Sequence, residues 1–424
     1  MLIVVVVTAP IVCRSASRVQ APRYEKVLYP FVGGGDGFGP VASLIGDSAG
    51  ALYGTTEYGG SRDLGTVFKL TPVGGSYTER ILYSFQGAGD GAYPVAGLKF
   101  DAFGALYGTS SAGGACPVQI KNGCGTVFRL TPAGSGYRES ILYRFKGGTN
   151  DGLYPLGSLI SDAQGSLYGT TAQGGLGGVH VGIIGYGTVF ELKRSGTQYS
   201  ERLVYRFKSL LDGSNPQDGD GLIVDAAGAL YGTTENGAGG YDTCGLGCGA
   251  IFKLTPDGNG YRERILHAFL PGGGIFPAAS LVVDRTGTLY GTTIAGGETQ
   301  LGQWGVVYKL GPSGAYSVIY DGAQDFRSYT RLIADATGAF YGTTADGGSC
   351  RFDTNSCGIV FKLTPSGKSY AENVVYHFRG YDDGAFPYAS LIAGSQGEFY
   401  GTTSAGGSTW ACPNGCGTVF KLVP

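Results

Sequence analysis

The run Leu52-Tyr53-Gly54-Thr55-Thr56 returns six times along the chain, and successive tyrosines of the run are 51 to 63 residues apart. The other copies, some with a single substitution, occupy residues 106–110, 167–171, 230–234, 289–293, 340–344 and 399–403. Internal repetition at this period is typical of propellers, solenoids and repeat arrays. The seven copies therefore predict one repeated architecture rather than the roughly three separate domains that 424 residues would otherwise suggest.

Each repeat contains four short runs suited to β-strands, which we name a, b, c and d in chain order. In the first repeat they are residues 41–45, 52–56, 65–70 and 77–85. The runs are rich in Val, Ile, Tyr, Phe and Thr, which favour strands. Asp47 begins the turn between a and b, where its carboxylate can bond its own backbone. The pattern predicts an all-β, seven-bladed β-propeller of four-stranded antiparallel blades.

The two ends of the chain complement one another. Residues 24–31 match strand d of other repeats, such as residues 137–145, whereas the chain ends with a strand c at residues 417–422. We expect strand 24–31 to complete the last blade and close the ring, which removes exposed strand edges. Residues 24–424 then form a single propeller domain. The glycine of each repeated run is expected to allow close approach of neighbouring blades.

Residues 1–23 have the character of an export segment. The stretch 2–12 is almost entirely apolar and is followed by Ser15-Ala16-Ser17. It is short of the roughly 20 residues that a membrane-spanning helix needs. No later stretch is long and apolar enough to span, so no integral membrane segment is expected in the mature chain. The formal net charge of −2 without a basic run argues against a nucleic-acid partner.

Eight of the nine cysteines fall in local pairs between strands b and c. We predict disulfides between them, and hence an oxidising compartment, extracellular or at the cell surface. As residues of the longer b–c loops, they are expected to tie those loops down. Zinc is the alternative, but it would need cysteines of two loops to converge. The predicted pairs are Cys116/Cys124, Cys244/Cys248, Cys350/Cys357 and Cys412/Cys416.

The candidate ligand residues lie where the repeats differ most. The b–c and d–a loops vary in length and share one face, and binding residues tend to occupy variable loops on a rigid scaffold. Four repeats carry Asp-Gly in the d–a loop, with an aromatic residue before a nearby proline in three of them. We predict a binding rim at the channel mouth formed by Asp36, Asp90, Asp151, Asp383, Tyr93, Tyr154 and Phe386. Counted from the turn, the equivalent aspartate positions in the other repeats are Ser214, Gly273 and Gln324.

These side chains suit sugars, whose rings stack on aromatic faces while their hydroxyls donate to carboxylates. Turn chemistry alone is the simpler interpretation of Asp-Gly. Ca²⁺, a hard cation that takes oxygen ligands, is a further alternative, and no other cofactor is expected. No metal site is predicted from the three histidines, which lie far apart. The repeated glutamates of strand d are expected to be solvated: Glu79, Glu139, Glu201, Glu263 and Glu372.

The repeated unit resembles the Gloeo-Verruco, or GloVer, repeat family, the choice-of-anchor tandem-repeat proteins of bacteria. The matching motif is Leu-Tyr-Gly-Thr-Thr, a Gly-Gly loop and Gly-Thr-Val-Phe-Lys-Leu-Thr-Pro, as in residues 52–56, 59–60 and 65–72. The resemblance covers residues 24–424 and implies an exported protein, often held at the surface by a C-terminal anchor. The sequence ends at Leu422-Val423-Pro424 without such an anchor, so free secretion is expected. The resemblance supplies no catalytic residues.

Three functions remain open at this stage. The leading hypothesis is a secreted, non-catalytic and monomeric binding propeller whose partner is a glycan or a surface protein. The first alternative is an extracellular carbohydrate-active hydrolase or lyase, since a fold does not fix a function. Such an enzyme would need a convergent acid/base pair, and no catalytic residues are predicted. The second alternative is a purely structural component of a surface or matrix.

Overall fold

The computed structural model describes residues 24–116, 120–134, 136–177, 179–180, 183–208, 211–217, 219–239, 244–297, 304–322, 326–348, 350, 356–407 and 411–424. The proposed export segment, residues 1–23, and Gln324 lie outside them. Seven four-stranded antiparallel sheets form seven blades, and each sheet has the strand order a-b-c-d. The predicted seven-bladed β-propeller is confirmed.

The strand bounds, each blade in the order a, b, c and d, are as follows. Blade 1 has Ile45–Gly46, Leu52–Thr56, Thr66–Val73 and Ser76–Ser84; blade 2 has Lys99–Phe100, Leu106–Ser110, Thr126–Ala133 and Gly136–Arg144; blade 3 has Ile160–Ser161, Leu167–Thr171, Thr188–Ser195 and Gln198–Arg206; blade 4 has Ile223–Val224, Leu230–Thr234, Ala250–Asp257 and Gly260–Ala268. Blade 5 has Val282–Val283, Leu289–Thr292, Val306–Leu310 and Tyr316–Asp321; blade 6 has Ile333–Ala334, Phe340–Thr344, Ile359–Ser366 and Ser369–His377; blade 7 has Ile392–Ala393, Phe399–Thr403, Thr418–Val423 and Tyr24–Pro30.

Smaller elements lie in the loops. A 3-10 turn spans Gly34–Asp36. Three two-residue pairs join Gly91–Ala92 to Ala112–Gly113, Gly152–Leu153 to Gln173–Gly174, and Val179–His180 to Ile183–Ile184.

The ring closes through the first strand of the chain, as predicted. Tyr24–Pro30 pairs antiparallel with Thr418–Val423, from Tyr24 opposite Val423 to Pro30 opposite Thr418. Phe31, directly after this strand, is fully buried and its ring lies 5.1 Å from that of Phe68 in blade 1. The N-terminal strand therefore supplies both the missing edge of blade 7 and its contact with blade 1.

An aromatic pair of this kind occurs at all seven blade junctions. In six blades the aromatic residue directly after strand d meets a ring of strand c in the next blade, and in blade 5 Phe326, which lies beyond the strand end at Asp321, does the same. The ring centroids are 5.0 to 5.3 Å apart, as edge-to-face and tilted pairs prefer. The pairs are Phe31–Phe68, Phe85–Phe128, Phe145–Phe190, Phe207–Phe252, Phe269–Tyr308, Phe326–Phe361 and Phe378–Phe420.

The glycine of the repeated run serves this contact indirectly. Gly54 pairs directly with Phe68 of its own blade. A Cβ on Gly54 would lie 2.6 Å from the Phe68 ring and 2.9 Å from Leu44. The glycine thus makes room for a ring of its own sheet, and this ring, rather than the glycine backbone, reaches the neighbouring blade. The expectation that the glycine itself allows blades to approach is corrected accordingly.

The turn between strands a and b forms as predicted. Oδ1 of Asp47 accepts hydrogen bonds from the backbone N–H groups of Ala49 and Ala51, both at 2.9 Å. The Tyr53 hydroxyl donates to Oδ2 at 3.0 Å. The tyrosine of the repeated run and the turn aspartate therefore hold each other in position.

Strand a is shorter than predicted. Residues 41–45 were expected to pair, but only Ile45–Gly46 does so in blade 1. The preceding residues instead approach the channel, where side chains of other blades bond to their backbone. For example, the Thr55 hydroxyl donates to the carbonyl of Ala96 in blade 2 at 3.4 Å.

All four predicted disulfides are present, and each closes a short segment between strands b and c. These bonds indicate an oxidising compartment. Within the described part of the chain, no helix has the length and apolar character needed to cross a membrane.

The second cysteine of each pair differs from the prediction, because it is a core residue and not part of an open loop. Its exposure is 0 or 1%, and it belongs to one of the hydrophobic clusters between blades. The first cysteine is only partly buried against the same cluster. The four buried cysteines are Cys124, Cys248, Cys357 and Cys416.

These cysteines are buried because the chain leading into the next blade covers them. Each buried cysteine stands two residues before strand c, and the d–a loop that follows in the chain crosses over it. The carbonyl of Cys124 accepts a hydrogen bond from the Tyr154 N–H at 3.1 Å, and that of Cys248 accepts from the Phe276 N–H at 2.9 Å. The expectation that the bridges tie down loops alone is therefore corrected: each one fastens its loop to the core at a blade junction.

Candidate functional site

The four predicted aspartates lie just beyond the outermost strand of a blade. Asp36 accepts a hydrogen bond from the Tyr29 hydroxyl at 2.6 Å and another from the Val32 N–H at 2.7 Å. The same tyrosine–aspartate bond recurs at Tyr83–Asp90, Tyr143–Asp151 and Tyr376–Asp383, at 2.7 to 2.9 Å. These carboxylates therefore anchor the start of each d–a loop to strand d.

A fifth aspartate has the same role and was missed. The Tyr205 hydroxyl donates to Asp212 at 2.7 Å. Counting back from the turn aspartate placed Ser214 at this position, which is wrong by two residues. The fourth repeat has a two-residue insertion before strand a: Leu222 is six positions after Pro216, whereas Leu44 is four positions after Pro40. The Asp-Gly feature thus spans five consecutive blade junctions.

The glutamates of strand d are half-buried rather than fully solvated, and four of them lie near these aspartates. One carboxyl oxygen each of Glu79, Glu139, Glu201 and Glu263 is buried without a hydrogen-bond partner. Burial, and then the charge of an aspartate from the preceding blade, raises the pKa of each of these glutamates to about 7. The expectation of solvated rim charges is wrong here because adjacent blades cover the outermost strands. Glu372 differs, since it accepts a hydrogen bond from Tyr320 at 2.8 Å.

The predicted aromatic residues share an unusual backbone conformation. Tyr93, Tyr154 and Phe386 have φ of 55°, 58° and 57°, in the left-handed region that bulky residues avoid. Each is held from both sides: the Tyr93 N–H donates to the carbonyl of Leu64 in the preceding blade, and its carbonyl accepts from the Ser111 N–H. All three rings are partly exposed. Tyr93 also lines a recess of about 290 Å³ on the loop face.

The seven predicted residues are distributed over separate blade junctions. Their role in ligand binding stays a prediction, as does the calcium alternative. Among the residues that the structure describes, no three His, Cys, Asp or Glu side chains are grouped as metal ligands.

A larger cavity of about 690 Å³ lies at the centre of the ring. It is lined by strand a of blades 1, 2 and 7, by the a–b turns of blades 1 and 7, and by residues of blades 3, 4 and 6. Because the a–b turns form its rim, it opens on the face opposite the variable loops. None of the seven predicted residues is among the described residues that line it.

The inner end of this cavity is closed by polar side chains that meet across the channel. Asp220 of blade 4 and Ser43 of blade 1 are joined by a hydrogen bond of 2.5 Å from the serine hydroxyl. Arg331 Nε of blade 6 lies 3.7 Å from the second Asp220 oxygen. On the other side, the Ser158 hydroxyl accepts from the Gly97 N–H and donates to the Gly219 carbonyl. Blades that are distant in sequence are thus tied together at the channel.

Three charged residues of this cavity break the sevenfold pattern. Arg331 occupies the position just before the strand-a leucine, where the other six blades have serine or glycine: Ser43, Gly97, Ser158, Gly221, Ser280 and Ser390. Lys99 occupies the first position of strand a, where the others have Ile or Val: Ile45, Ile160, Ile223, Val282, Ile333 and Ile392. Asp220 lies in the insertion of the fourth repeat. Comparing the repeats position by position, both before strand a and at its first residue, would have revealed all three.

Two carboxylates at the rim accept hydrogen bonds that hold the a–b turns of their blades. Asp47 holds its turn, as described above. In blade 7 the turn position is Gly394, and Glu398 replaces the missing aspartate by accepting from the Gln396 N–H at 2.8 Å and the Tyr400 hydroxyl at 3.1 Å. By contrast, Lys99 has no hydrogen-bond or ion-pair partner among the described residues. The unpaired charge that lines the cavity is therefore positive.

Comparison with solved structures finds chains of low sequence identity. A proposed 6-phosphogluconolactonase from Bacteroides uniformis is 13% identical, with 83% of this chain and 88% of that chain covered and a TM-score of 0.50. A protein from Lactobacillus plantarum is 12% identical, over 83% and 88%, with a TM-score of 0.48. A gluconolactonase from Xanthomonas campestris is 14% identical, over 76% and 86%, with a TM-score of 0.41. The first of these comparisons bears on the fold alone.

No curated protein sequence matches this chain. The family model described as the Gloeobacter/Verrucomicrobia repeat matches residues 18–181, 120–321 and 241–424, which overlap and together cover nearly the whole sequence. The chain therefore belongs to the Gloeobacter/Verrucomicrobia repeat family.

Proposed function

We propose that this protein is an extracellular, non-catalytic propeller that binds a glycan in its central cavity. The observation that carries the proposal is the convergence of Lys99, Asp220 and Arg331 on one cavity. They come from blades 2, 4 and 6, which are far apart in the sequence.

The repeat pattern itself does not call for the charges of Lys99 and Arg331. Six blades close the channel with serine or glycine and six begin strand a with Ile or Val, so a blade forms without an arginine or a lysine at these positions. Placing a charge at a partly buried position costs free energy unless it is paired. Strained or costly features that persist tend to mark functional sites.

The remaining lining fits a saccharide. Phe100 and Tyr400 offer aromatic surface, and the exposed Ser48 and Ser395 offer hydroxyls. A volume of about 690 Å³ lies within the usual range for small-ligand sites, roughly 300–1,000 Å³. The carboxylates of Asp47 and Glu398 already accept two or more hydrogen bonds each, which favours binding over acid–base catalysis.

The extracellular location is part of the proposal. It is supported by the four disulfides and by the export character of residues 1–23 in the sequence. The loop face, with Tyr93 and Tyr154, is a second candidate surface for the same ligand class. Its partly exposed rings stand beside the hydrogen-bonded aspartates of the d–a loops.

The test is a glycan array followed by calorimetric titration of the best ligand. Lys99→Ile and Arg331→Ser restore the residues found in the other blades, so both should fold normally and lose affinity. Lys368→Ser removes an exposed lysine far from the cavity and is the matched control. If both cavity variants bind like the parent while Tyr154→Ala does not, the site is on the loop face instead. Release of reducing ends during incubation would favour the hydrolase alternative.

A further inference from the structure

We propose that the ligand is an acidic polysaccharide whose carboxylates meet Lys99 and Arg331, and that the chain runs from the cavity into a neighbouring recess toward Arg194. This inference rests on the proposed function and adds the ligand class and its path. The recess, of about 290 Å³, lies on the same face between the a–b turns of blades 2 and 3. Lys99 and Phe100 line both the cavity and the recess, so the two are continuous.

The recess contains further departures from the repeat. Phe103, at the a–b turn of blade 2, is 84% exposed. The equivalent positions are small or polar: Ala49, Gln164, Ala227, Thr286, Thr337 and Gln396. A large apolar ring so open to water has no packing role, but it offers a face on which a sugar ring can stack.

Arg194 is the second departure. It occupies the place of the proline that follows strand-c threonine in blades such as blade 1, at Pro72. Its Nε donates to the Gly196 carbonyl at 3.0 Å, and no described carboxylate lies within ion-pair distance of its guanidinium. The side chain is exposed beside the recess, where its remaining N–H groups can bind an oxyanion in a forked geometry.

The carboxylates of this surface already accept hydrogen bonds from the backbone of their own turns. Oδ1 of Asp101 accepts from the Phe103 and Ala105 N–H groups at 2.8 and 2.9 Å. Asp162 accepts in the same way from Gln164 and Ser166, both at 2.9 Å. Among the described charged residues of the path, the side chains with donors still free to bind a ligand are therefore Lys99 and Arg194, and both are cationic. Cations spaced along a groove with an aromatic face between them suit a chain of uronic acids better than a neutral glycan.

The experiment is calorimetric titration of the whole protein with a short oligogalacturonate, with its fully methyl-esterified form as the neutral match. The acid should bind, its affinity should fall as salt is raised, and the ester should bind at least about tenfold more weakly, because each charge-assisted hydrogen bond contributes about 1.5–3 kcal/mol. Equal affinity for the ester would overturn the acidic class while leaving glycan binding intact. Preference for a sulfated oligosaccharide of the same length would overturn the choice of carboxylate.

Variants test the path. Phe103→Ala restores the alanine of two other blades, and Arg194→Gln removes the charge but keeps a polar side chain. Each should weaken oligogalacturonate binding by about three- to tenfold without changing the melting temperature, and galacturonic acid monomer binding should be unaffected. Parent-like binding of the oligomer by both variants would overturn the path, whereas binding of none of the glycans by the parent would overturn the proposed function.

Discussion

Asp220 in blade 4 accepts a hydrogen bond from the hydroxyl of Ser43 in blade 1, three blades away, which is the largest separation that a ring of seven allows. The contact is possible because a two-residue insertion brings Asp220 into the channel. Ser43 Oγ also accepts from the Ser390 N–H at 3.0 Å, so both of its hydrogen-bonding functions are used. The inner end of the cavity is therefore a polar network rather than an open pore.

This network predicts different effects for two substitutions of Asp220. Asp220→Asn keeps an acceptor for Ser43 but removes a negative charge close to Arg331, so binding of an acidic ligand should strengthen by about threefold or more. Asp220→Ala leaves the Ser43 hydroxyl without its acceptor and should lower the free energy of unfolding by about 1–3 kcal/mol. Urea denaturation and titration with oligogalacturonate measure the two effects. Weaker binding by the asparagine variant would show that the carboxylate itself contacts the ligand.

The glycine of the repeated run should be intolerant of even one methyl group. Gly54→Ala places a Cβ against the Phe68 ring and Leu44 and should destabilise the protein by about 1–3 kcal/mol in urea denaturation. Adding Phe68→Leu should restore part of the loss. Gly89→Ala, where no heavy atom lies within 4 Å, is the control and should change stability by no more than about 0.5 kcal/mol. A neutral Gly54→Ala would contradict the packing role.

The features that sequence predicts well are those that local pattern encodes. Strand b matches its prediction at Leu52–Thr56 because strand-forming residues, flanking turn residues and repetition all agree there. The Asp47 turn and the pairing of the cysteines are also local. By contrast, burial of Cys124 or Glu79 depends on a neighbouring blade, and the meeting of Asp220 with Ser43 depends on closure of the whole ring. A residue inside one repeat does not reveal what it faces until the blades are arranged around it.

Prediction of the site also depended on aligning the repeats correctly. The insertion of blade 4 lies between Asp212 and the turn aspartate, so counting back a fixed number of residues from the turn reached Ser214 instead of Asp212. The same insertion contains Asp220. A single undetected two-residue shift therefore concealed both a structural aspartate and a residue of the central cavity.

Ring closure by the first strand should be essential to folding. Deleting residues 24–31 removes the outer strand of blade 7 and bares the edge of Thr418–Val423. The variant should melt at a much lower temperature or aggregate through that edge, as scanning calorimetry and light scattering would show. Phe31→Ala is the graded comparison: it keeps the strand, removes a fully buried ring and should cost about 3–5 kcal/mol. A deletion variant that melts like the parent would contradict closure by this strand.

The half-buried glutamates of the blade junctions should make stability depend on pH. Burial raises the pKa of Glu79 and its three counterparts from 4.5 to about 7, and burial, together with the charge of Asp383, raises that of Glu25 to about 8. Between the unfolded and folded pKa values the folded chain holds more protons than the unfolded chain. Since stability falls with rising pH wherever the folded state binds more protons, the protein should lose stability from about pH 4.5 to about pH 8.

Other carboxyls set the acid limit. Burial alone would raise the pKa of Asp284, Asp335 and Glu398, but hydrogen bonds from backbone and side-chain donors outweigh it and the net pKa is lowered. These groups contribute stability that is lost as pH falls through their folded pKa values. The two opposing effects place maximum stability near pH 5, rather than at neutral pH.

Urea denaturation at several pH values between about 4 and 9 measures this profile. Glu79→Gln should flatten the decline above pH 5, and the double variant with Glu139→Gln should flatten it further by a similar step, because the two residues lie at separate junctions. At pH 8 both variants should be more stable than the parent, since each removes a carboxylate that is charged and poorly solvated there. A parent whose stability is constant across this range, or variants with the parent's slope, would show that adjacent blades leave these glutamates in contact with water.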